Sequence, residues 1–213
     1  MKQSVIAAIG FIVVLFSLTA QANEDTKKIL SNLQKKYESL QDVTIHFKQQ
    51  VVFGVTQNEQ NFKGTLVVKK GNKYRIELEN QTIVTDGKSV WSYSAANNQV
   101  LIDKYKEDPK SISPDKVLVN VPDRYTTTFI TKEKKGDTEL SVLKLVPKDK
   151  SSNVQWMKIW ADTDDWIMKK VQLQDVSDNL TTYTIEEIKY NTGVSDAQFQ
   201  LETPKGAQVI DLR

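Results

Sequence analysis

One histidine and no cysteine in 213 residues leave this chain little catalytic equipment. Tetrahedral zinc sites draw on histidine and cysteine clusters, so that chemistry is excluded by number. A histidine base needs a nucleophile beside it and an acid to orient it. His46 lies between Thr44 and Lys48 at strand spacing, and side chains two apart share a face, so it reads as a solvated residue on a polar side. Asp162, Asp164 and Asp165 suggest a cation loop, yet their spacing lacks the glycine and distal glutamate of a calcium-binding hand, so a hairpin turn is expected. Glu186 and Glu187 are adjacent in a strand-like run; alternation puts them on opposite faces, which disfavours paired acid–base work. Neither a glycine-rich phosphate loop nor a Gly-x-Ser-x-Gly elbow occurs. Candidate chemistry is thus mostly absent, and no enzyme activity, cofactor or metal is expected.

The elements that position these residues are mostly strands. From Asn61 to Tyr93 the chain reads as successive hairpins, with turn signals at Gly71-Asn72 and Asp86-Gly87. In this stretch Tyr74, Ile76 and Leu78 share one face, while Lys73, Arg75, Glu77 and Glu79 share the other. Trp91 and Tyr93 fall together, opposite Val90 and Ser92. Val43 to Phe53 puts Val43, Ile45, Phe47, Val51 and Phe53 on one side. Further strands are expected at 100–103, 125–131, 139–146, 154–160, 167–173 and 180–190, with turns at 134–137 and 162–165. Ile29, Leu30, Leu33, Tyr37 and Leu40 recur at helical spacing, which predicts an amphipathic helix over 26–40. Between Glu107 and Pro122 three prolines surround Lys116-Val-Leu-Val-Asn-Val121, read as a short helix or mobile loop with an apolar patch. A meander of this kind forms one α+β domain whose twisted sheet either closes on itself or wraps something.

The first residues have a different character. Lys2, an apolar run from Val5 to Leu18 and Ala20-Gln21-Ala22 describe a cleaved secretory signal peptide over residues 1–22, too short in its apolar core for a spanning helix. The remaining domain, 23–213, is 191 residues with 28 basic and 27 acidic side chains. That is long enough for a core without disulfides, and the charge balance argues against a global basic field for nucleic acid or acidic lipid while leaving room for local patches. Without cysteine there is also no site for a lipoprotein's acyl anchor. An exported protein, not itself lipidated by that route, is the expectation. The large apolar residues either fill an ordinary core or leave one concave face apolar for a lipid, capped by helical elements.

Three motifs resemble those of the LolA family of periplasmic outer-membrane lipoprotein carriers. They are Phe47-Lys-Gln49, the hairpin Asp86-Gly-Lys-x-x-Trp91-x-Tyr93, and the tail Phe199-x-x-x-x-Pro204-x-Gly206. The resemblance implies a strongly curved, incompletely closed antiparallel β-barrel with a lid of short α-helices over an apolar cavity. It also implies a chaperone that takes acylated lipoproteins from an inner-membrane lipoprotein-releasing ABC transporter and passes them to an outer-membrane acceptor resembling LolB. The expected lipid-binding residues are Phe47, Leu66, Tyr74, Ile76, Trp91 and Tyr93 on the wall, with Leu33, Tyr37, Leu40, Val117 and Leu118 on the lid. The family's Arg-Pro stands here as Lys70-Gly71, which makes Lys70 the lid-latch candidate, with charge kept but the planar fork of donors lost. Two other readings remain open: a LolA-like acyl-chain or peptide-binding sensor of the cell envelope, and an exported hydrolase relying on His46.

Overall fold

A computed structural model describes residues 26–106 and 125–213. Helix α1 covers residues 26–39. Strands follow as β1 (Asp42–Val52), β2 (Glu59–Lys69), β3 (Lys73–Leu78), β4 (Gln81–Asp86), β5 (Ser89–Ser94) and β6 (Gln99–Lys104). After the undescribed segment come β7 (Tyr125–Lys135), β8 (Thr138–Pro147), β9 (Val154–Asp162), β10 (Ile167–Asp175) and β11 (Leu180–Tyr190). A short 3-10 turn (Asp196–Phe199) and β12 (Gln208–Asp211) end the chain. All twelve strands form one sheet in the order β12-β6-β5-β4-β3-β2-β1-β11-β10-β9-β8-β7. Neighbours are antiparallel except β12, which runs parallel to β6. Among the described residues no ladder joins β7 to β12, so the barrel is incompletely closed. The expected helix, the meander and the open barrel are thus present. The parallel β12, which carries no strong alternation, was not expected from the sequence.

Cross-strand partners share a face, so the register divides the side chains into an inner and an outer set. The inner face is apolar and α1 lies on it. Leu33, Tyr37 and Leu40 pack there with Val43, Ile45 and Phe47 of β1, Leu143 and Leu145 of β8, Ile159 of β9, and Met168 and Val171 of β10. Burial raises the Tyr37 phenol far above its usual range, and its oxygen accepts from the Met168 N–H at 3.5 Å. Phe47 meets Tyr183 edge-on at 5.7 Å. Its ring also lies across β2 at Gly64, where a Cβ would stand 2.5 Å from Phe47 Cζ and 2.7 Å from Leu78 Cδ2. Only glycine leaves the ring that room.

The turns have specific chemistry. The Asp86 carboxylate accepts from the Lys88 and Ser89 N–H groups, both at 2.8 Å. Asp162 does the same for Asp164 at 3.0 Å, with Lys169 Nζ at 3.5 Å, so the aspartate run is the hairpin cap expected of it. Gly87 has φ +88°, and a Cβ there would run into the Gly71 carbonyl oxygen. The β2–β3 and β4–β5 turns therefore touch at their tips.

A strap made by residues 191–201 crosses the outer face of β1–β4. The buried Asp42 carboxylate receives the N–H groups of Thr192 (2.8 Å), Gly193 (3.0 Å) and Val194 (3.3 Å), plus the Thr192 hydroxyl at 3.1 Å. Burial pushes the Asp42 carboxyl up, but these donors outweigh it and hold the group below its ordinary value. Asp196 takes Lys69 at 2.6 Å and Lys73 at 2.7 Å. Phe199 then inserts, fully buried, beside Val67, Val84 and Trp91.

Candidate functional site

One inner-face row can be followed across most of the sheet. Ile45 pairs with Leu66, Leu66 with Ile76, Ile76 with Ile83, Ile83 with Ser92, and Ser92 with Leu101. Exposure rises along it. Ile45 and Leu66 are fully buried, Ile76 is 2% exposed, and Leu101 is 38% exposed, with Ile83 and Ser92 half-buried between them. Tyr74 and Leu78 flank the row on β3 and are also only partly covered. The apolar surface that α1 does not cover therefore lies over β3–β6.

The predicted wall is divided by this register. Phe47, Leu66, Tyr74 and Ile76 lie on the inner face, together with Leu33 and Tyr37 of α1 and Leu40 just past its end. Trp91 and Tyr93 do not join them, and the grouping of all six on one wall is corrected. Trp91 pairs with Val84 and Tyr93 with Thr82; Val84 pairs with Arg75 and Thr82 with Glu77. Both aromatics therefore stand on the outer face, Trp91 beneath the strap and Tyr93 with its hydroxyl 3.3 Å from Asn98 Oδ1. The physical reason is parity: Tyr74 pairs with Thr85, which is an odd number of residues from Val84 and Thr82. Strand by strand the alternation is right, but the phase between hairpins is set by turn length. Val117 and Leu118 lie outside the described residues.

Lys70 is exposed at the tip of the β2–β3 turn. Its N–H donates to the Gln41 carbonyl at 3.1 Å, which ties the turn to the exit of α1. Gly71 and Asn72 both have positive φ, +92° and +59°. Proline fixes φ near −65°, so this turn cannot take the family's proline without changing shape. The departure from Arg-Pro is a change in backbone geometry as well as in side chain.

The residues screened for catalysis fall on the outer face. His46 Nδ1 is 3.1 Å from Thr65 Oγ1 and its Nε2 is 3.8 Å from Glu187. The second distance is too long for an orienting hydrogen bond, and Glu187 also pairs with Lys189 at 3.0 Å. Glu186 and Glu187 are not on opposite faces. The ladder shifts between His46 and Phe47, which pair with Glu187 and Ile185, so Glu186 is the extra residue of a β-bulge. Both glutamates then point outward, Glu186 to Lys48 and Glu187 to His46. A cleft of about 550 Å³ lies nearby, lined by Thr44, Thr65, Arg75, Glu77 and the strap. Its Arg75 is already paired with Glu77 and faces the Gln198 and Gln200 carbonyls.

Comparison with known proteins points to one family. The family model for the outer membrane lipoprotein carrier protein LolA matches residues 38–202, from the end of α1 through the strap. The chain belongs to the LolA family. An outer-membrane lipoprotein carrier protein of Chromohalobacter salexigens is 26% identical over 206 residues, covering 95% of this chain and 94% of its own length. One from Pasteurella multocida is 28% identical, covering 86% and 87%. An uncharacterized protein of Methanocaldococcus jannaschii is 23% identical over 90% of this chain, which spans about half, 55%, of that relative. Among solved structures, an uncharacterized conserved protein from Thermus thermophilus superposes with a TM-score of 0.60 at 14% identity, covering 87% of this chain and 98% of its own. That likeness concerns the fold alone.

Proposed function

We propose that this protein is a periplasmic carrier that shields the acyl chains of lipoproteins against the inner face of its open barrel. The observation that carries this reading is the apolar row from Ile45 to Leu101, buried at one end and exposed at the other. A free acyl chain loses about 0.8 kcal/mol per methylene in water, so crossing an aqueous compartment requires such a surface. Loading begins over Tyr74, Leu78, Ile83 and Leu101 and extends toward Phe47, Leu66 and Ile76 as α1 moves aside, with Val117 and Leu118 kept as further candidates for acyl contact. Because α1 packs on the same apolar face, it competes with the acyl chains and keeps their binding reversible. Lys70 sits where the β2–β3 turn meets the exit of α1 and is the latch of that movement. The working domain is 23–213 after removal of residues 1–22, a monomer that binds and does not catalyse. Its cargo comes from an inner-membrane ABC transporter and leaves to a LolB-like acceptor.

The test is to purify the protein from its host and identify co-purifying lipids and lipoproteins by mass spectrometry, alongside uptake from transporter-bearing membranes. Acylated lipoprotein bound in both experiments is expected. Protein that is free in the first and takes up nothing in the second would sink the carrier reading. Depletion of the protein should also strand lipoproteins at the inner membrane.

A further inference from the structure

The outer face of β8–β10 breaks a rule of sheet design. Lys144 and Lys158 are direct cross-strand partners, and like charges so placed repel. Both ammonium groups lie over the Trp156 ring, at 5.8 and 5.4 Å from its centre. Lys170 lies 4.3 Å over the Trp160 ring. None of the three joins an ion pair among the described residues. Lys170 lies in the neighbouring row, which runs from Trp160 through Lys170 and Thr184 to Lys48 and Lys63. At that far end Glu186 pairs with Lys48 and also attracts Lys63, and beside Lys170 the Glu133 carboxylate is occupied by the Trp160 indole N–H. Three like charges on a rigid sheet, none of them in an ion pair among the described residues, leave a surface open to an outside anion.

We propose that this outer face docks reversibly on the surface of a bilayer containing anionic phospholipids, with Lys144, Lys158 and Lys170 as its main contacts. Two features favour headgroups over an acidic protein. The cations are lysines, compact point charges, and no arginine fork is present in the row to match single carboxylates. Protein interfaces centre on a buried aromatic or arginine anchor. Here both tryptophans are covered by ammonium groups, and their indole N–H groups already donate to Gln174 (2.6 Å) and Glu133 (2.8 Å). The proposal concerns the face opposite the acyl site and does not depend on cargo being bound there.

Co-sedimentation of the purified protein with phosphatidylcholine vesicles, with and without phosphatidylglycerol, tests it. Binding is expected only to the anionic vesicles. It should vanish as salt rises from about 0.1 M to about 1 M, which shortens the screening length from about 10 Å to about 3 Å. The Lys144→Gln/Lys158→Gln/Lys170→Gln variant should bind on the order of 100-fold more weakly, and the corresponding triple arginine variant should bind like the parent. The arginine variant keeps the test open if the glutamine variant misfolds, as read by circular dichroism. Equal partitioning to both vesicle types, or none, overturns the proposal. So does binding to polyglutamate without binding to anionic vesicles, which would assign the face to an acidic protein.

Discussion

On the β8–β11 half of the inner face, Leu143, Leu145, Ile159, Met168 and Val171 have no exposed surface. On the β3–β6 half the same face carries Tyr74, Leu78 and Ile83 only partly covered, and ends at Leu101, 38% exposed. The difference lies in what packs on each half. α1 and its exit bring Leu33, Tyr37 and Leu40 onto the first, and close packing there leaves nothing to exchange. The second half keeps the same residue chemistry without the same cover. Stability and binding should therefore separate along the sheet.

The largest effects should come from the packed half. Ile159→Ala or Leu145→Ala should cost about 2–5 kcal/mol of unfolding free energy, measured by denaturant titration. Gly64→Ala forces the Phe47 ring or Leu78 to shift and should cost about 1–3 kcal/mol through overpacking. In the open half, Leu101→Ala and Ile83→Ala should change stability by less than about 1 kcal/mol. Each should nevertheless weaken binding of a fluorescent acyl probe about fivefold, as expected for about 1 kcal/mol of lost apolar burial. If both halves lose stability alike and binding is untouched, the comparison fails.

The strap offers a test confined to the outer face. Asp42 and Asp196 both titrate below their ordinary values, Asp196 at about 2 because Lys69 and Lys73 bond its carboxylate. Groups with lowered values stabilise the fold above their unfolded range, and that contribution is lost as pH falls through the folded value. The amide NMR shifts of Thr192, Gly193 and Val194 should therefore hold steady down to about pH 4 and move only below it. Inner-face amides should move less. The smallest effect is expected at the turn: Lys70→Ala should change stability by no more than about 0.5 kcal/mol while altering the rate of acyl release. Gly71→Pro should cost more, because φ +92° is closed to proline.

Much of this molecule was legible in its sequence because alternation is a local signal. Tyr74, Ile76 and Leu78 fall inward as their spacing requires, and Leu180–Tyr190 is a strand with the predicted bounds. What failed was phase. Trp91 and Tyr93 alternate correctly within β5, yet which face they take depends on the turn at Asp86-Gly87, and sequence alternation alone does not carry phase across it. The bulge at Glu186 hid for a similar reason, since an extra residue reverses parity without changing composition. Its trace is the spacing of Ile185 and Ile188, three apart where a regular strand needs an even number. The half-covered row up to Leu101 was not legible at all, because it depends on where α1 comes to rest.

The most direct test places a photoreactive group on the acyl chain of a bound lipoprotein and maps the adducts by mass spectrometry. Adducts on Tyr74, Leu78, Ile83 and Leu101 are predicted. Adducts concentrated on β8–β10, or on the outward-facing Trp91 and Tyr93, would contradict the assignment of the inner face of β3–β6 as the acyl site.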